Sequence, residues 1–164
     1  MDYIVHGFEQ YTLVDLRKAD LPEKWSQDSR IVSLVANAEH LPVEDKSIDR
    51  VVVPCFLHHV DHPELVLKEI NRVLKDSGEA TIFLTCDPGI AVRALRRITT
   101  QRTAKKSGFH GYYLMIAREH RNHVGSLLEM VRYVFRDGRI KANWQPFQIP
   151  LWNLNGYVIL TITR

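Results

Sequence analysis

The sequence has few of the features that mark secreted, membrane-spanning or nucleic-acid-binding proteins. Only two cysteines, Cys55 and Cys86, occur in 164 residues, and both lie in apolar runs, which favours buried thiols over a disulfide. No apolar run reaches the roughly 18 residues of a transmembrane helix, and no secretory signal opens the chain. The net charge of +3 is too small to indicate nucleic acid by itself. We therefore expect a soluble, cytoplasmic protein, and contact with a membrane surface stays open.

The amounts of apolar and charged residue are those of an ordinary globular protein. Hydrophobic residues make up 45% of the chain and charged residues 25%, close to the average for soluble domains. No internal repeat, low-complexity tract or flexible linker divides the sequence. We therefore expect a single domain over residues 1–164 whose core needs no disulfide or metal to hold it together.

Short apolar runs alternate with segments of helical periodicity. Runs rich in β-branched residues predict buried strands at 11–16, 30–36, 49–55 and 79–86. Apolar residues at helical spacing predict helices at 63–74, 89–100 and 123–136. Pro63 suits a helix start, and Gly78 suits a helix stop. Two more strands are predicted at 142–149 and 157–163. The alternation predicts an α/β fold with a mostly parallel sheet and an antiparallel finish.

Ligands of such folds bind beyond the carboxyl ends of the strands. That rule points to Asp15, Asn37, residues 54–59 and residues 86–88. The Asp15 carboxylate is suited to accept both hydroxyls of a ribose, and the Asn37 amide is suited to an adenine edge, with the small Ala38 leaving room for the ring. Taken one at a time, these residues are equally typical of ordinary turns and helix caps.

Read in order, the sequence from Asn37 to Leu84 resembles the middle of the ubiquinone/menaquinone-biosynthesis type of class I methyltransferase. That family shows DAExLPFxDxSFDxV, then LHHxxDP, then ExxRVLKPGG. The counterparts here are NAEHLPVEDKSIDRV, LHHVDHP and EINRVLKDSG. With the segment before these motifs included, the resemblance covers roughly Tyr11 to Leu84, about half the chain, and it implies a Rossmann-like methyltransferase sheet and the cofactor S-adenosyl-L-methionine.

The resemblance also implies which residues bind the cofactor. Asp15, with Leu16 beside it, holds the ribose. Asn37 and Ala38 fall at the pair that contacts adenine, and Pro54 lies at the methionine end. Asn37 stands where the family has an aspartate, but an amide both donates and accepts at an adenine edge.

One part of the family pattern is absent from the sequence. A strand and a GxGxG loop normally precede the ribose-binding acid by about 20 residues. Only 14 residues precede Asp15, and Gly7 is their single glycine. We therefore expect an N-terminally truncated domain that lacks its first strand, with Met1–Phe8 as the remnant of the first helix. The alternative is a partner chain or a homodimer that completes the sheet.

Histidines and a polar segment supply the candidates for chemistry at the methyl acceptor. His58 and His59 are candidate general bases, and the alternative is that they hold a loop in place. In HHxxH, His58 and His62 would share one face of a helix, but no glutamate or cysteine completes a metal set, so no metal site is predicted. Arg118, His120 and His123 are candidates for binding an anionic or hydroxyl-rich acceptor. The alternative for this segment is a solvated loop in which Asn122 caps the next helix.

A basic stretch follows the fourth predicted strand, and it has two interpretations. Its members are Arg93, Arg96, Arg97, Arg102, Lys105 and Lys106. Such a stretch is either a solvated helix face or a surface that attracts phosphate, a nucleotide-linked sugar or anionic lipid. It lacks the interleaved aromatic residues of a single-strand nucleic-acid track, and no nucleic acid partner is predicted.

Two functions remain on this reading. The first is S-adenosylmethionine-dependent methyl transfer to a small-molecule acceptor, polar or linked to a sugar or lipid. The second is a non-catalytic member of the fold that no longer binds cofactor and serves as an interaction module, which the missing glycine-rich loop favours.

Overall fold

The computed structural model describes residues 7–18 and 20–164. The helix remnant expected at Met1–Phe8 falls largely outside these residues. The chain divides into two compact units, Met1–Pro42 and Val43–Arg164. The single domain expected over residues 1–164 stays a prediction.

The first unit contains a pair of parallel strands. Strand β1 (Tyr11–Asp15) and strand β2 (Ile31–Val35) are joined through the short helix α1 (Glu23–Ser26). Their register places Asp15 opposite Val35. The pairing continues one step further, because the Ala36 N–H donates to the Asp15 carbonyl at 3.0 Å. The carboxyl ends of both strands therefore lie side by side.

The second unit contains a four-stranded sheet in the order β3-β4-β6-β5. Strands β3 (Ile48–Pro54) and β4 (Leu74–Thr85) are parallel, and β6 (Tyr157–Thr163) is antiparallel to both β4 and β5 (Arg139–Gln145). The helices are α2 (Pro63–Val73), α3 (Ile90–Ile98), α4 (Thr100–Lys106), α5 (Tyr112–Glu119) and α6 (Val124–Val134). This confirms the predicted α/β fold, mostly parallel with an antiparallel C-terminal strand. Within the described residues, no helix has the length and apolar character to span a bilayer.

The core of the second unit lies between its sheet and the helices α2 and α6, which pack against each other. Pro63 begins α2, and its apolar side chains then repeat every three or four residues, which puts them on one face. The buried side chains are Val66, Leu67, Ile70 and Val73 from α2, Val124, Leu127, Leu128 and Val131 from α6, and Ala80, Ile82 and Leu84 from β4. Alternate residues of β4 are buried, as expected for a strand with one well-covered face.

Ion pairs connect two of the sequence blocks on which the methyltransferase resemblance depends. Arg72 donates to the Val43 carbonyl at 2.8 Å and to Asp45 at 2.6 Å, and it also pairs with Glu69 at 2.7 Å. Lys75 contacts Asp49 at 2.8 Å. The acidic turn before β3 and the basic end of α2 therefore belong to one local structure.

Several predicted boundaries are wrong. Helix α2 ends at Val73, one residue before its predicted end at Leu74, because the buried Leu74 is already extended and pairs with Ile48. The strand predicted at 142–149 is β5, and it ends before Pro146, which lacks the N–H that a sheet needs. The helix predicted at 89–100 ends at Ile98, and α4 follows after Thr99.

A methyl group added at two different glycines should have opposite effects on stability. At Gly89 a Cβ would lie 2.5 Å from the Cys86 carbonyl oxygen and 2.9 Å from that of Trp152, both in the backbone. Gly89→Ala should therefore lower the free energy of unfolding by roughly 2 kcal/mol. At Gly125, within α6, a Cβ meets nothing within 4 Å. Gly125→Ala should raise that free energy by about 0.5–1 kcal/mol. Urea unfolding curves measure both, and equal effects of the two changes would contradict the described packing around Gly89.

Candidate functional site

The first unit brings together two of the predicted cofactor-binding residues. Asp15 ends β1, and Asn37 follows β2 by two residues, so both lie at the same end of the strand pair. Both side chains are exposed. Asp15 Oδ1 accepts the N–H of Arg17 at 2.9 Å, and Asn37 Oδ1 accepts the N–H of Glu39 at 3.0 Å. Each side chain thus braces its own turn with one oxygen.

The remaining polar atoms of these two side chains are available to a ligand. Among the described residues, nothing bonds to Asp15 Oδ2 or to the Asn37 amide nitrogen. A carboxylate oxygen and an amide donor are the groups that a ribose hydroxyl and an adenine edge require. Leu16 is exposed and Ala38 half-buried, so apolar surface flanks the polar pair. The arrangement fits the nucleoside half of the predicted cofactor.

The remaining cofactor-binding candidate, Pro54, belongs to the second unit. It is exposed and is the last residue of β3. Cys55 follows with φ at +54°, a left-handed conformation that turns the chain sharply out of the strand. The role of Pro54 at the methionine end of the cofactor stays a prediction.

His58 is fully buried, and both its ring nitrogens are engaged within the protein. Nδ1 lies 2.8 Å from the Asn122 carbonyl oxygen, to which it donates, and Nε2 accepts the N–H of Thr85 at 3.1 Å. Burial lowers the pKa of the ring below its usual value, and the nearby His120 and His59 act in the same direction. A buried neutral histidine with two such bonds fits the loop-holding alternative.

Asn122 joins the same loop from the other side. Its amide nitrogen donates to the carbonyl oxygens of Leu57 at 2.9 Å and Val60 at 2.7 Å. The expectation that Asn122 caps the following helix is wrong, because α6 has His123 at its N-cap and no side-chain cap. The amide instead satisfies two carbonyls of the loop after β3, groups that are costly to leave unpaired when buried.

His59 has a different environment. It is exposed, and its Nδ1 donates to the Glu119 carbonyl oxygen at 2.9 Å. That bond assigns the proton to Nδ1 and leaves the lone pair of Nε2 free to take up a proton. Its ring meets the ring of His120 edge to face at 4.9 Å. Of the two predicted general bases, His59 has the chemistry to act as one.

A buried carboxylate lies next to these rings, in the segment 86–88 to which the strand-end rule points. Asp87 follows β4 and pairs with Arg96, and its Oδ2 lies 2.9 Å from Nδ1 of His120. These atoms are within ion-pair distance, although neither makes a well-aligned hydrogen bond. Burial raises the pKa of Asp87, but His120 and Arg96 more than offset this and hold it below its usual value. The ring of His120 stacks on His58 at 5.4 Å.

The three predicted acceptor-binding residues differ in their surroundings. His120 is half-buried against Asp87, His58 and His59. Arg118 is exposed in the last turn of α5, and His123 is exposed at the start of α6. The structure thus brings His120 to the predicted general bases, and the role of all three towards an acceptor stays a prediction. No group of three potential metal ligands occurs among the described residues.

Sequence reasoning did not assign four polar residues to this cluster: Thr85, Asp87, Arg96 and Asn122. The rule that ligands bind beyond strand ends did point to residues 86–88, so Asp87 had a signal. Cys86 in that segment is buried, and burial raises the pKa of its thiol to about 11, which makes it a poor nucleophile.

Removing the Asn122 amide should destabilise the protein. Asn122→Ala leaves the Leu57 and Val60 carbonyls without their donors, and we expect a loss of roughly 2–4 kcal/mol in the free energy of unfolding. Asn143→Ala, on the exposed surface of β5, is the matched control and should change it little. Chemical unfolding curves measure both, and equal losses in the two variants would contradict the bracing role.

The lowered pKa of His58 predicts how stability depends on pH. Because the folded-state pKa lies below the usual 6.5, the unfolded chain binds more protons as the pH falls below about 6.5. Stability should therefore fall between pH 7.5 and pH 5.5, and Asp87, with its usual pKa of 3.8 lowered further, does not titrate in this window. His58→Gln should be less stable at pH 7.5 and show a shallower dependence of Tm on pH. An unchanged slope in His58→Gln would show that His58 is not the buried neutral group.

Comparison with known proteins agrees with the resemblance. Residues 2–82 match the family model described as a methyltransferase domain. A demethylmenaquinone methyltransferase of Lactobacillus johnsonii is 44% identical over 52 residues, which cover 32% of this chain and 21% of the relative. The mitochondrial 2-methoxy-6-polyprenyl-1,4-benzoquinol methylase of Caenorhabditis elegans is 36% identical over 61 residues, covering 37% and 21%. The chain thus spans about a fifth of the length of these curated relatives.

Solved structures show the same fold at low sequence identity. An S-adenosylmethionine-dependent methyltransferase of Mesorhizobium loti has a TM-score of 0.57 and 16% identity, covering 96% of this chain and 82% of that one. The [4+2]-cyclase SpnF has a TM-score of 0.61 and 16% identity, covering 93% and 65%. Since one of these is named a cyclase, the fold alone does not determine the reaction. Over residues 2–82 the chain matches the methyltransferase-domain family, its fold is that of S-adenosylmethionine-dependent methyltransferases, and S-adenosylmethionine is the cofactor that this match implies.

Proposed function

We propose that this protein transfers a methyl group from S-adenosylmethionine to a small-molecule acceptor. The observation that carries the proposal is the pair Asp15 and Asn37, exposed at neighbouring carboxyl ends of two parallel strands. The family match over residues 2–82 supplies the identity of the cofactor. Without the family match, the same two side chains would be explained by the hydrogen bonds that each makes within its own turn.

The cofactor-binding role follows from the chemistry of the spare polar atoms. A carboxylate accepts hydroxyl hydrogen bonds more strongly than a neutral group does, so Asp15 is suited to the ribose. The Asn37 amide is suited to donate to an adenine nitrogen, with Ala38 and Leu16 as apolar neighbours. Pro54 is the candidate at the methionine end. Within the first unit, β1 and β2 thus carry the residues assigned to the nucleoside half of the cofactor.

When bound, the cofactor would supply an activated methyl group on a sulfonium, so the protein has little bond-breaking chemistry of its own to perform. Its main tasks are to align the acceptor with that methyl group and to exclude water. Where the acceptor loses a proton, His59 takes it at Nε2, the nitrogen left free by the bond from Nδ1 to Glu119. His58 positions this loop, because its own nitrogens are bonded to Asn122 and Thr85.

Arg118, His120 and His123 are the residues we assign to the acceptor. The support is that they come from the segment that contacts the loop of His58 and His59 through Asn122 and His120. The relatives are named for quinone and polyprenyl-benzoquinol substrates, so an acceptor linked to a lipid falls within the proposal beside polar metabolites and sugars.

Calorimetric titration with S-adenosylhomocysteine, the demethylated form of the cofactor, tests the binding half of the proposal. The unaltered protein should bind it. Asp15→Asn keeps an oxygen for the Arg17 N–H but removes the charge, and it should weaken binding by at least about tenfold. Asp20→Asn, an exposed aspartate of the same unit, removes the same charge and should leave the affinity unchanged.

Two outcomes would count against the proposal. No heat of binding from folded protein would favour the non-catalytic interaction module. Equal weakening by Asp15→Asn and Asp20→Asn would mean that a general loss of negative charge, and not a ribose contact, sets the affinity.

A further inference from the structure

Charge is strongly segregated along this chain, and one segment holds no acid at all. Residues 88–118, here called the basic arm, contain seven of the 22 lysines and arginines and none of the 19 aspartates and glutamates. The rest of the chain therefore has 15 basic against 19 acidic residues. The basic arm carries α3, α4 and all of α5 except its last residue, Glu119, and its charge of +7 exceeds the net charge of +3 of the whole protein.

Helix α3 exposes apolar side chains that an amphipathic helix ordinarily buries. Ile90, Leu95 and Ile98 are 69%, 56% and 68% exposed. At 100° per residue they fall within an arc of about 140°, and Arg93 and Arg97 lie outside it. Only Val92 of this helix is buried. The apolar face is therefore presented to solvent instead of to the core, which marks an interaction surface more often than an ordinary surface helix.

The same combination continues through α4 and α5. Exposed apolar residues in and between these helices are Phe109, Tyr113, Leu114 and Met115, and exposed basic residues are Arg102, Lys105, Lys106 and Arg118. The Tyr113 hydroxyl donates to Gln101 at 2.9 Å, which ties α5 to α4. Among the described residues, Arg96 is the one basic side chain of the arm that reaches a carboxylate, Asp87. The other cations have no acidic partner within the described part of the protein.

We propose that the basic arm binds the surface of an anionic lipid bilayer. Its exposed aliphatic and aromatic side chains enter the headgroup region, and the exposed lysines and arginines of α3 and α4 contact lipid phosphates and carboxylates. The absence of acid from the arm suits a negative surface, and the isoleucines and leucines of α3 suit hydrocarbon. A nucleic acid would use the cations but would leave those aliphatic groups without a partner. The inference does not depend on methyl transfer.

The length of the helices determines the mode of contact. Helix α3 has nine residues and α4 has seven, so they lie on a bilayer surface and do not cross it. Hydrophobic insertion supplies part of the affinity, and the charges supply a part that salt screens. Both parts are therefore measurable separately on the same protein.

Co-sedimentation with lipid vesicles tests the proposal on the unaltered chain. It should bind phosphatidylcholine vesicles that contain phosphatidylserine and bind pure phosphatidylcholine vesicles far more weakly. Rising potassium chloride should release it. Equal binding to the two kinds of vesicle, or no binding to either, would overturn the proposal. These measurements decide the question even where a variant fails to fold.

Paired variants separate the two contributions. Arg93→Gln together with Arg97→Gln should weaken binding about 25-fold, from about fivefold for each charge near an anionic surface. Leu95→Ser together with Ile98→Ser should weaken it by at least about tenfold. Tyr133→Ser is the matched control, because Tyr133 on α6 is also 68% exposed but lies next to an Arg132–Glu129 ion pair outside the arm. It should bind vesicles as the unaltered protein does.

The same experiments distinguish an anionic bilayer from other binding partners of the arm. Equal loss of binding in Tyr133→Ser would mean that vesicles bind apolar surface at large, and the proposal would fail. The unaltered protein could instead form a dimer and fail to bind anionic vesicles. If Leu95→Ser together with Ile98→Ser then dissociates that dimer, a second copy of the chain covers the arm. That result would also overturn it.

Discussion

Parallel pairing between β1 and β2 is the constraint on which the proposed activity depends. Neighbouring parallel strands end at the same edge of their sheet. The residues at and just after those ends therefore lie near one another without any bond between their side chains. Asp15 and Asn37 are brought together in this way and do not bond to each other; each instead braces its own turn. A slip of one residue in this register would turn every side chain of the shifted strand to the opposite face of the sheet and separate the pair. The proposed site therefore depends on the pairing of the two backbones, which places both side chains at the same end of the strand pair.

The same geometry acts in the second unit, where β3 and β4 are also parallel. The loops that follow them are tied together by His58, which accepts the Thr85 N–H at the end of β4. Asn122 then binds the first of these loops to the start of α6. This bracing uses both ring nitrogens of His58. The neighbouring His59 uses only Nδ1, so of these two histidines it is the one whose Nε2 lone pair is free. Two adjacent histidines in the sequence thus have different chemistry because one is buried and one is exposed.

Most strands, the helix α2 and the order of the elements follow from the sequence, because β-branched runs and helical spacing are local patterns. The candidate residues at strand ends also follow, since the rule that locates them needs only the strands. What could not be predicted depends on distant partners or on backbone detail. Asn122 resembles a helix cap in sequence, but its acceptors are carbonyls more than sixty residues away. Pro146 ends β5 before its predicted end. Ile90, Leu95 and Ile98 resemble the buried face of a helix in sequence, and only the structure shows that they are exposed.

The central claim is that the neighbouring ends of β1 and β2 form the nucleoside part of a cofactor site. The most direct measurement is the set of backbone amide resonances of ¹⁵N-labelled protein during a titration with S-adenosylhomocysteine. The account predicts that the largest shifts occur at residues 15–17 and 36–39, with Asp15, Arg17, Asn37 and Glu39 among them. Saturable shifts confined to other parts of the chain, with these amides unmoved, would contradict it.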